Sequence, residues 1–269
     1  MVTVVKVGGS ILGDGVSNSI LKDIQRFVEK EPLILVHGGG KEVTRIAEKL
    51  GKKQKFIVSP GGIRSRYTDK ETALIYTMVM IGQINKEIVT AMQRVGVRAI
   101  GLGGVDGGLI RAHRKKRLVI IDERKRKMAI DGGYTGKIYE VNGSLLDSLI
   151  NQGYTPVISP VALSEEFDLL NVDGDRAASH IAGSVGANRV IFLTDVNGIL
   201  IDGNLVKTLN SDQARALLPK IGFGMEKKVI GCLESIEQNV KEGVISSGLV
   251  DNPISSACMH ENCTVIGNG

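Results

Sequence analysis

Residues 1–12 read MVTVVKVGGSIL. Residues 2–7 are mostly apolar, as in a strand buried on both faces, yet Lys6 lies near the carboxyl end and GGS follows at once. In an open parallel sheet, ligands bind beyond the carboxyl ends of the strands, where glycines let backbone N–H groups approach anionic oxygens. A lysine beside such groups supplies a fixed positive charge for a phosphate. The stretch therefore predicts a phosphate site, unless Lys6 is a solvated lysine on an edge strand.

The pattern of this first stretch recurs along the chain, because short apolar runs that end in glycine alternate with amphipathic stretches. The alternation is typical of βα units and predicts an α/β fold with a mostly parallel sheet. A chain of 269 residues can form one compact unit of this kind. The predicted strands are residues 2–7, 33–40, 98–104, 155–161, 189–195 and 263–267. Later helices are predicted near residues 175–186, 211–218 and 226–242.

Three earlier helices follow from apolar spacing and from end signals. The first carries its apolar face from Ile20 to Val28, with Ser17 or Ser19 as N-cap, and the second ends at Gly51. Thr68 and Glu71 have the spacing of a capping box, which predicts the start of a long helix that runs to about Val95. Its residues 73–82, ALIYTMVMIG, are apolar nearly all round, so either a dimer partner or the rest of the monomer should cover them.

Composition limits the class of protein. Hydrophobic residues at 42% and charged residues at 23% are typical of a soluble globular chain. No run reaches the roughly 18 apolar residues of a membrane span, and no signal peptide pattern opens the chain, so we expect a cytoplasmic protein. Three cysteines do not indicate a disulfide framework. Cys258, His260 and Cys263 match no standard zinc spacing, and a structural role is favoured over a metal site.

The positive charge is concentrated in residues 111–127, RAHRKKRLVIIDERKRK, whose nine Lys or Arg and two acidic residues give a net charge of +7. The whole chain carries +5, so the remainder is slightly negative. Short β-prone pieces in residues 108–140 predict antiparallel hairpins at an edge of the fold. The segment is a solvated face, a docking surface for an acidic partner, or a nucleic-acid surface. Only Tyr134 and Tyr139 lie nearby for base stacking, which disfavours the last.

No standard nucleotide-binding loop occurs, since the chain contains neither GxxxxGK followed by Ser or Thr nor GxGxxG. Other stretches carry suitable chemistry. HGGGK (37–41) is a second glycine loop at a predicted strand end, and NVDGDRAA (171–178) places an amide and two carboxylates on a turn into a helix. FLTDVNGIL (192–200) follows a buried strand, and GMEKKVIG (224–231) places Lys228 at a helix start, where anions are favoured.

Taken together and in this order, KVGGS, VHGGG, RSRYTD, NVDGDRAA, FLTDVNGIL and GMEKK resemble the amino acid kinase family over essentially the whole chain. The sequence is most similar to the acetylglutamate kinase branch, and within it to kinases that phosphorylate 2-aminoadipate carried on the small acidic protein LysW. The resemblance implies a three-layer αβα sandwich with an N-terminal lobe (1–169) for the acid and a C-terminal lobe (170–269) for ATP. It also implies a homodimer, and Mg2+ held by the nucleotide phosphates.

The resemblance implies roles for individual residues. Lys6 and Lys228 match the two cations that stabilise the transferring phosphoryl group, and Asp175 matches the residue that orients them. The implied substrate-binding residues are Gly39, Gly40, Arg66 and Asn171. The implied nucleotide-binding residues are Gly8, Gly9, Ser10, Thr194, Asp195 and Gly198. Together with the charge of the basic segment, a carrier-borne substrate points to a docking patch of Arg111, Arg114, Lys115, Lys116 and Arg117.

The implied reaction is phosphorylation of a carboxyl group. A side-chain carboxylate has a pKa near 4, is ionised at neutral pH and needs no general base. His37 is therefore expected to support the glycine loop, while His113 and His180 have no expected role. If the substrate were free N-acetylglutamate, the basic segment would have no function in substrate binding. A substrate bound to an acidic carrier, 2-aminoadipate or glutamate in lysine or arginine biosynthesis, is therefore favoured. The alternatives are an N-acetylglutamate kinase of arginine biosynthesis and a nucleic-acid-binding sensor.

Overall fold

The computed structural model describes residues 1–13, 15–62, 64–222 and 224–267. The helices are α1 (Gly9–Leu12), α2 (Asn18–Val28), α3 (Gly40–Lys49), α4 (Lys70–Thr77), α5 (Asn85–Arg94), α6 (Gly143–Asn151), α7 (Gly174–Ser184), α8 (Ser211–Leu217), α9 (Met225–Glu237) and α10 (Pro253–Cys258). A π-helical segment, Met78–Ile84, joins α4 to α5, and short 3-10 turns span Asp106–Gly108 and Leu218–Lys220.

The strands pair into one large and several small sheets. They are β1 (Thr3–Val7), β2 (Leu33–His37), β3 (Phe56–Val58), β4 (Arg64–Arg66), β5 (Ala99–Gly103), β6 (Ile110–Arg114), β7 (Arg117–Ile121), β8 (Lys127–Asp131), β9 (Gly136–Val141), β10 (Thr155–Ser159), β11 (Val161–Leu163), β12 (Leu169–Asn171), β13 (Arg189–Thr194), β14 (Leu200–Ile201), β15 (Asn204–Leu205), β16 (Thr208–Asn210), β17 (Glu242–Ser247) and β18 (Thr264–Gly267).

The central sheet has eight strands in the order β16-β18-β17-β13-β1-β2-β10-β5. Neighbouring strands are parallel except for β17 and β18, so the sheet is mostly parallel. Helices cover both faces, which makes a three-layer αβα sandwich and confirms the predicted fold class. Since β1 lies between β13 and β2, Lys6 is on a central strand and not on an edge.

Alternation along β1 sends side chains to opposite layers. Val4 belongs to the core formed with α6, α7, α8 and α9, whereas Val5 and Val7 belong to the core formed with α2, α3, α5 and α10. Lys6 has the parity of Val4, so its side chain points toward α7 and α9. This parity is the local reason why a lysine of the first strand can meet residues from the far end of the chain.

The basic segment lies outside the central sheet, as predicted. Strands β6 and β9 pair antiparallel within a four-stranded sheet of order β12-β11-β6-β9, and β7 pairs antiparallel with β8. The β7–β8 hairpin packs against β3, which pairs with β4. The highly charged hairpin is therefore adjacent to the hairpin that carries Arg66.

The six predicted strands are all present, with ends shifted by a few residues. The predicted helix at 226–242 is too long, because α9 ends at Glu237 and the chain enters strand β17, which the sequence analysis missed. Gly243 and two serines weaken the local strand signal there. The expected helix from residue 68 to about 95 runs continuously from Lys70 to Arg94 through the π-helical segment.

The capping box predicted at Thr68 and Glu71 is wrong. Asp69 is the N-cap of α4, and its carboxylate accepts a hydrogen bond of 2.8 Å from the Thr72 backbone N–H. Glu71 instead forms a 2.7 Å ion pair with Lys52. Asp and Thr are both good N-caps, so only the tertiary contacts of the two side chains distinguish them.

Within the described residues, no helix is long and apolar enough to cross a membrane.

Candidate functional site

Two lysines from opposite ends of the chain meet at one buried aspartate. The Nζ atom of Lys6 lies 2.7 Å from Oδ1 of Asp175, and Nζ of Lys228 donates to Oδ2 at 3.3 Å. Lys6 is 7% exposed and Asp175 is 4% exposed, so both charges are largely removed from water. The Lys6 contact is an ion pair and not an aligned hydrogen bond. The arrangement leaves Asp175 holding one ammonium group on each oxygen.

The N-terminal turn of α7 positions Asp175. Asp173 is the N-cap of this helix, and its Oδ1 atom accepts hydrogen bonds from the backbone N–H groups of Asp175 at 3.0 Å and Arg176 at 3.3 Å. A carboxylate in the first turn is favoured by the positive end of the helix dipole. The helix start therefore directs Asp175 toward the carboxyl end of β1.

The three groups carry an excess of one positive charge. Burial lowers the pKa of Lys228; the negative charge of Asp175 opposes this shift, and the positive charge of Lys6 adds to it. Two buried ammonium groups with a single carboxylate are costly in a site without a further anion. The arrangement therefore favours the binding of an anionic group between the lysines.

Glycine loops after β1 and β2 lie against each other beside this centre. A Cβ atom on Gly38 would stand 2.8 Å from the backbone nitrogen of Gly9, and a Cβ on Gly9 would stand 3.1 Å from the nitrogen of Gly39. Gly39 is the N-cap of α3 and offers no side chain to cap the helix. The unpaired N–H groups of the first turn of α3 can therefore bind anionic oxygens.

His37 supports the second glycine loop from below, as the sequence analysis expected. Its Nδ1 atom lies 3.0 Å from the Gly38 carbonyl oxygen, and Nε2 lies 2.8 Å from the Ser159 hydroxyl and 3.3 Å from the Asn85 amide. Burial lowers the pKa of His37 to about 4, so the ring is neutral near pH 7. A neutral ring donates from Nδ1 to Gly38 and holds the loop without contributing a charge.

Arg66 reaches the second glycine loop from β4. Its Nη2 atom donates to the Gly40 carbonyl oxygen at 2.7 Å and to the Thr44 hydroxyl at 2.9 Å. Nη1 donates to the Gln54 side chain, and the guanidinium lies over the Phe56 ring, 5.1 Å from its centroid. The β3–β4 hairpin thus holds the cation above the start of α3. The sequence analysis had no signal for this hairpin, because its strands are three residues long.

Asn171 contacts the segment that follows Arg66. Its Nδ2 atom donates to the Thr68 hydroxyl at 3.0 Å, and its backbone N–H donates to the Tyr134 carbonyl oxygen at 2.9 Å. The backbone N–H of Tyr134 in turn donates to the Thr68 carbonyl oxygen at 2.6 Å. The chain around Tyr134 therefore links the segment after Arg66 to the start of α7.

The profile of the amino acid kinase family matches residues 1–247. The chain belongs to the amino acid kinase family. A relative from Nitrosopumilus maritimus is 56% identical over 99% of both chains. A relative from Metallosphaera sedula, named LysW-aminoadipate/LysW-glutamate kinase, is 47% identical over 94% of this chain and 96% of its own. The crystal structure of N-acetylglutamate synthase from Neisseria gonorrhoeae, bound to coenzyme A and N-acetylglutamate, matches 100% of this chain and 59% of its own with a TM-score of 0.79. At 20% identity, that last likeness shows the fold alone.

In this amino acid kinase, the residues implied to bind nucleotide lie on adjacent strand ends. The Gly8 backbone N–H donates to the Leu193 carbonyl oxygen at 3.1 Å, which joins the loop of Gly8, Gly9 and Ser10 to the end of β13. Thr194 follows directly and donates to the Asp195 carboxylate at 3.0 Å. Gly198 is buried, and a Cβ there would stand 2.4 Å from the Thr264 hydroxyl oxygen. The close contact of Gly198 is therefore with the start of β18.

The basic segment of the kinase divides into tied and exposed residues. Arg114 donates to the Gly133 carbonyl oxygen at 2.7 Å, lies 3.5 Å from the Asp168 carboxylate and stacks over the Tyr134 ring. Arg111 is half-buried, with its guanidinium 5.9 Å from the Phe167 ring centroid. Arg114 is therefore tied to the chain on both sides of the four-stranded sheet, whereas the contact described for Arg111 is with Phe167.

The remaining cations of the segment face outward. Lys115 is exposed but lies near α7. Partial burial of its ammonium group lowers its pKa, and the charge of Arg176 on α7 lowers it further. The other exposed cations lie on or next to the β7–β8 hairpin. They are Lys116, Arg117, Arg124, Lys125, Arg126 and Lys127.

A second ion pair beside the buried Asp175 involves Lys227, which the sequence analysis did not single out. Lys227, the neighbour of Lys228, donates to Oδ2 of Asp173 at 2.9 Å. The available signal was the occurrence of two consecutive lysines in the first turn of a helix, where the dipole disfavours cations.

Cys258, His260 and Cys263 take part in local contacts. Burial raises the pKa of the Cys258 thiol, which lies near the charge of Arg189. His260 lies 3.0 Å from the Glu242 carboxylate, and Cys263 is buried. Across the part of the chain that the structure describes, no group of three or more His, Cys, Asp or Glu could hold a metal ion.

Proposed function

We propose that this kinase transfers the γ-phosphoryl group of ATP to the side-chain carboxylate of 2-aminoadipate or glutamate carried on LysW, in lysine or arginine biosynthesis. The full-length relative whose name includes both carrier-bound substrates, at 47% identity, supports the substrate. The chemistry of the cleft supports the reaction independently of that name.

The observation that carries the proposal is the pair of ammonium groups that share Asp175. Phosphoryl transfer spreads negative charge over the oxygens of the migrating group, and fixed cations stabilise that charge most strongly in a site that excludes water. Lys6 and Lys228 approach from β1 and α9, on either side of Asp175. Asp175 holds both lysines and still leaves one positive charge for the phosphoryl group.

The acceptor needs no general base. An ionised carboxylate attacks phosphorus directly, and its negative charge must be held in line with the leaving phosphate. His37 has a pKa of about 4 and is bound to Gly38 and Ser159, so it has no part in proton transfer. Positioning and charge are therefore the means of catalysis.

The acid substrate is expected to lie between the start of α3 and Asn171. Backbone N–H groups at Gly39 and Gly40 can hold one carboxylate, and Arg66 is beside them at 2.7 Å from the Gly40 carbonyl oxygen. Asn171 then holds the other polar end of the acid. A carrier-linked amino acid is expected to enter near the β3–β4 hairpin, beside Arg66.

ATP is expected on the side of the cleft formed by Gly8, Gly9, Ser10, Thr194, Asp195 and Gly198. The excess positive charge of the lysine pair fits its phosphates. Magnesium bound to the phosphates would screen their charge. The protein's own part is to fix the γ-phosphate beside Lys6 and Lys228.

The exposed cations around the β7–β8 hairpin support a carrier substrate. Electrostatic attraction orients an acidic protein and raises its association rate. The hairpin packs against β3, next to Arg66, so an acidic protein docked there is beside the substrate cleft. A free acid would gain little from cations on the outside of this hairpin.

A homodimer is the further part of the proposal. Leu74 and Met78 lie one turn apart on the long helix and are 55% and 49% exposed. A second copy packed on this face would cover both side chains. Sedimentation equilibrium should give a mass of about twice 28.8 kDa.

A substrate panel tests the reaction. Purified protein with ATP and Mg2+ should release ADP with LysW bearing 2-aminoadipate or glutamate, and the product should be an acyl phosphate that hydroxylamine traps as a hydroxamate. Unmodified LysW is the control and should give no product. Turnover with free N-acetylglutamate alone would replace the proposal by the N-acetylglutamate kinase alternative, and RNA retention without turnover would replace it by a nucleic-acid-binding role.

A further inference from the structure

The Asp173–Lys227 ion pair lies beside Lys6, Asp175 and Lys228 but is not among the groups that the proposed reaction uses. Nζ of Lys227 donates to Oδ2 of Asp173 at 2.9 Å, while Oδ1 of Asp173 caps α7. The two side chains are 28% and 31% exposed. One carboxylate therefore joins the starts of two helices: it caps α7 and holds a residue in the first turn of α9.

The two lysines of α9 make parallel contacts. Lys227 contacts Asp173 at 2.9 Å and Lys228 contacts Asp175 at 3.3 Å, so consecutive residues of α9 bind two residues of α7. Consecutive side chains on a helix diverge by about 100°. Both contacts can form only if the start of α9 has one orientation relative to α7, and the outer pair therefore limits the rotation of α9 about its axis.

The location of Lys227 is unfavourable for the isolated helix. The first turn of a helix has a partial positive charge, and a cation there costs roughly 0.3–1 kcal/mol. Asp173 removes this cost by pairing with Lys227 and neutralising both helix starts. Burial would raise the pKa of Asp173, but the charge of Lys227 lowers it well below its ordinary value, so the pair is ionised near neutral pH.

The pair is also distinct from the charge centre. Lys227 and Asp173 cancel each other, whereas Lys6, Asp175 and Lys228 leave one positive charge. Lys227 thus adds no net charge for the phosphoryl group to bind. Lys227 instead orients α9, because a small displacement of this helix would move the Lys228 ammonium group away from the transferring phosphoryl group.

We propose that Lys227 is a positioning residue, which by its ion pair with Asp173 fixes the approach of Lys228 to the transferring phosphoryl group. The proposal rests on the proposed function, because it assigns Lys227 a part in that reaction. A partly exposed pair adds little to stability, whereas a misplacement of about 1 Å can reduce turnover about a hundredfold. The expected signature is a loss of kcat without a matching loss of stability or of binding.

The test compares Lys227→Met, Lys227→Arg, Asp173→Asn and the double variant Lys227→Met with Asp173→Asn. Asparagine retains the helix cap, so Asp173→Asn removes mainly the charge. Lys227→Met should lower kcat about tenfold or more, with KM for ATP and for the acid within about threefold and the melting temperature within about 3 °C. Lys227→Arg should recover most of kcat, and the double variant should be no slower than the slower single variant. Lys207→Met is the control, because Lys207 is exposed and remote from both pairs.

Two results would overturn the proposal: a kcat of Lys227→Met within twofold of the wild type, or losses that multiply in the double variant. A second readout separates this failure from failure of the proposed function. The pKa of Lys228, followed by NMR of 13C-labelled lysine and assigned with Lys228→Met, should move toward the ordinary lysine value in the double variant, in which the net charge beside Lys228 is unchanged. An unchanged Lys228 would reject the positioning role even if the wild type accepts none of the tested acids.

Discussion

At the scale of single residues, the central feature is a charge within a core strand. Lys6 lies on one of the two central strands of an eight-stranded sheet and is 7% exposed. An unpaired ammonium group in that environment would be strongly destabilising. Asp175 makes it tolerable, and the second lysine at Lys228 then restores a net positive charge that only an anionic ligand can balance.

Replacing Lys228 by alanine should lower kcat about a hundredfold or more, while KM for the acid changes less than about threefold. The reason is that the ammonium group acts mainly on charge that develops during transfer. Steady-state kinetics with each substrate varied in turn will separate the two parameters. Losses of equal size in binding and turnover would assign Lys228 to substrate binding instead.

His37 should make the folded state sensitive to acid. Its pKa falls from 6.5 to about 4 because the ring is buried. Below pH 6.5, His37 is protonated in the unfolded chain, whereas the buried ring of the folded chain stays neutral down to about pH 4. The free energy of unfolding therefore decreases as the pH falls from 6.5 to about 4. The full difference corresponds to about 3 kcal/mol.

The measurement is chemical unfolding of the wild type and of His37→Gln at several pH values. All other groups titrate in both proteins, so the comparison isolates His37. The wild type should lose up to about 3 kcal/mol more than the variant over this range. If the free energy of unfolding depended on pH in the same way in both proteins, His37 would not be held neutral in the folded state.

At the scale of elements, a side chain of one helix caps the N-terminus of another. Helix α10 starts after Asn252, which has a φ of 53° and provides no side-chain cap. Asp23 of α2 supplies the missing acceptor, since its carboxylate accepts from the backbone N–H groups of Ile254 at 2.6 Å and Ser255 at 3.0 Å. The Ser255 hydroxyl adds a third hydrogen bond at 2.5 Å. This contact fastens the C-terminal part of the chain to the N-terminal part.

Asp23→Asn should reduce the free energy of unfolding by about 1–3 kcal/mol. The carboxylate accepts three hydrogen bonds on two oxygens, whereas the amide has a single acceptor oxygen and would turn an NH2 group toward one of the donors. Denaturant unfolding will measure the loss. Asp147→Asn is the matched control, since Asp147 is exposed on α6 and should change stability by less than about 0.5 kcal/mol. Equal effects of the two substitutions would contradict the capping role of Asp23.

At the scale of the whole molecule, charge is distributed unevenly. The chain carries +5, and its exposed cations concentrate around the β7–β8 hairpin, next to the hairpin that carries Arg66. Arg114 is part of the scaffold and is unsuited to a test of charge alone. Arg126 pairs with Asp122 at 2.8 Å, whereas Lys116, Arg117, Lys125 and Lys127 can change without loss of a described contact of their side chains.

Changing Lys116, Arg117, Lys125 and Lys127 to glutamine should lower kcat/KM for a carrier-bound acid about tenfold at low salt, and should weaken the salt dependence. The reason is loss of electrostatic steering, which a small analogue does not need. The matched control changes Lys22, Lys30, Lys207 and Lys241, four exposed lysines elsewhere, to glutamine. Equal losses with carrier and analogue, or equal losses in the control, would make the hairpin charge irrelevant to docking.

Local pattern was sufficient for much of the fold. Several predictions from local pattern agree with the structure: the apolar strands that end near glycine, the helix that starts near Ser17, the long helix that ends near Val95, and the antiparallel strands of the basic segment. These features depend on periodicity and end signals within about ten residues, which the sequence contains directly. The lysine in the first strand was likewise visible as an exception to the apolar pattern.

Other features depended on packing between distant segments. Asp69 and not Thr68 caps α4, α9 ends at Glu237 before strand β17 begins at Glu242, and Asp23 completes α10. The resemblance implied roles for Lys6, Asp175 and Lys228, but their distances, and the neighbouring pair of Asp173 and Lys227, come from the structure alone. Local sequence determines which elements form, because backbone preferences act between near neighbours. Contacts across 53 or more residues arise only when the layers pack, and the tertiary structure therefore decided which charges meet.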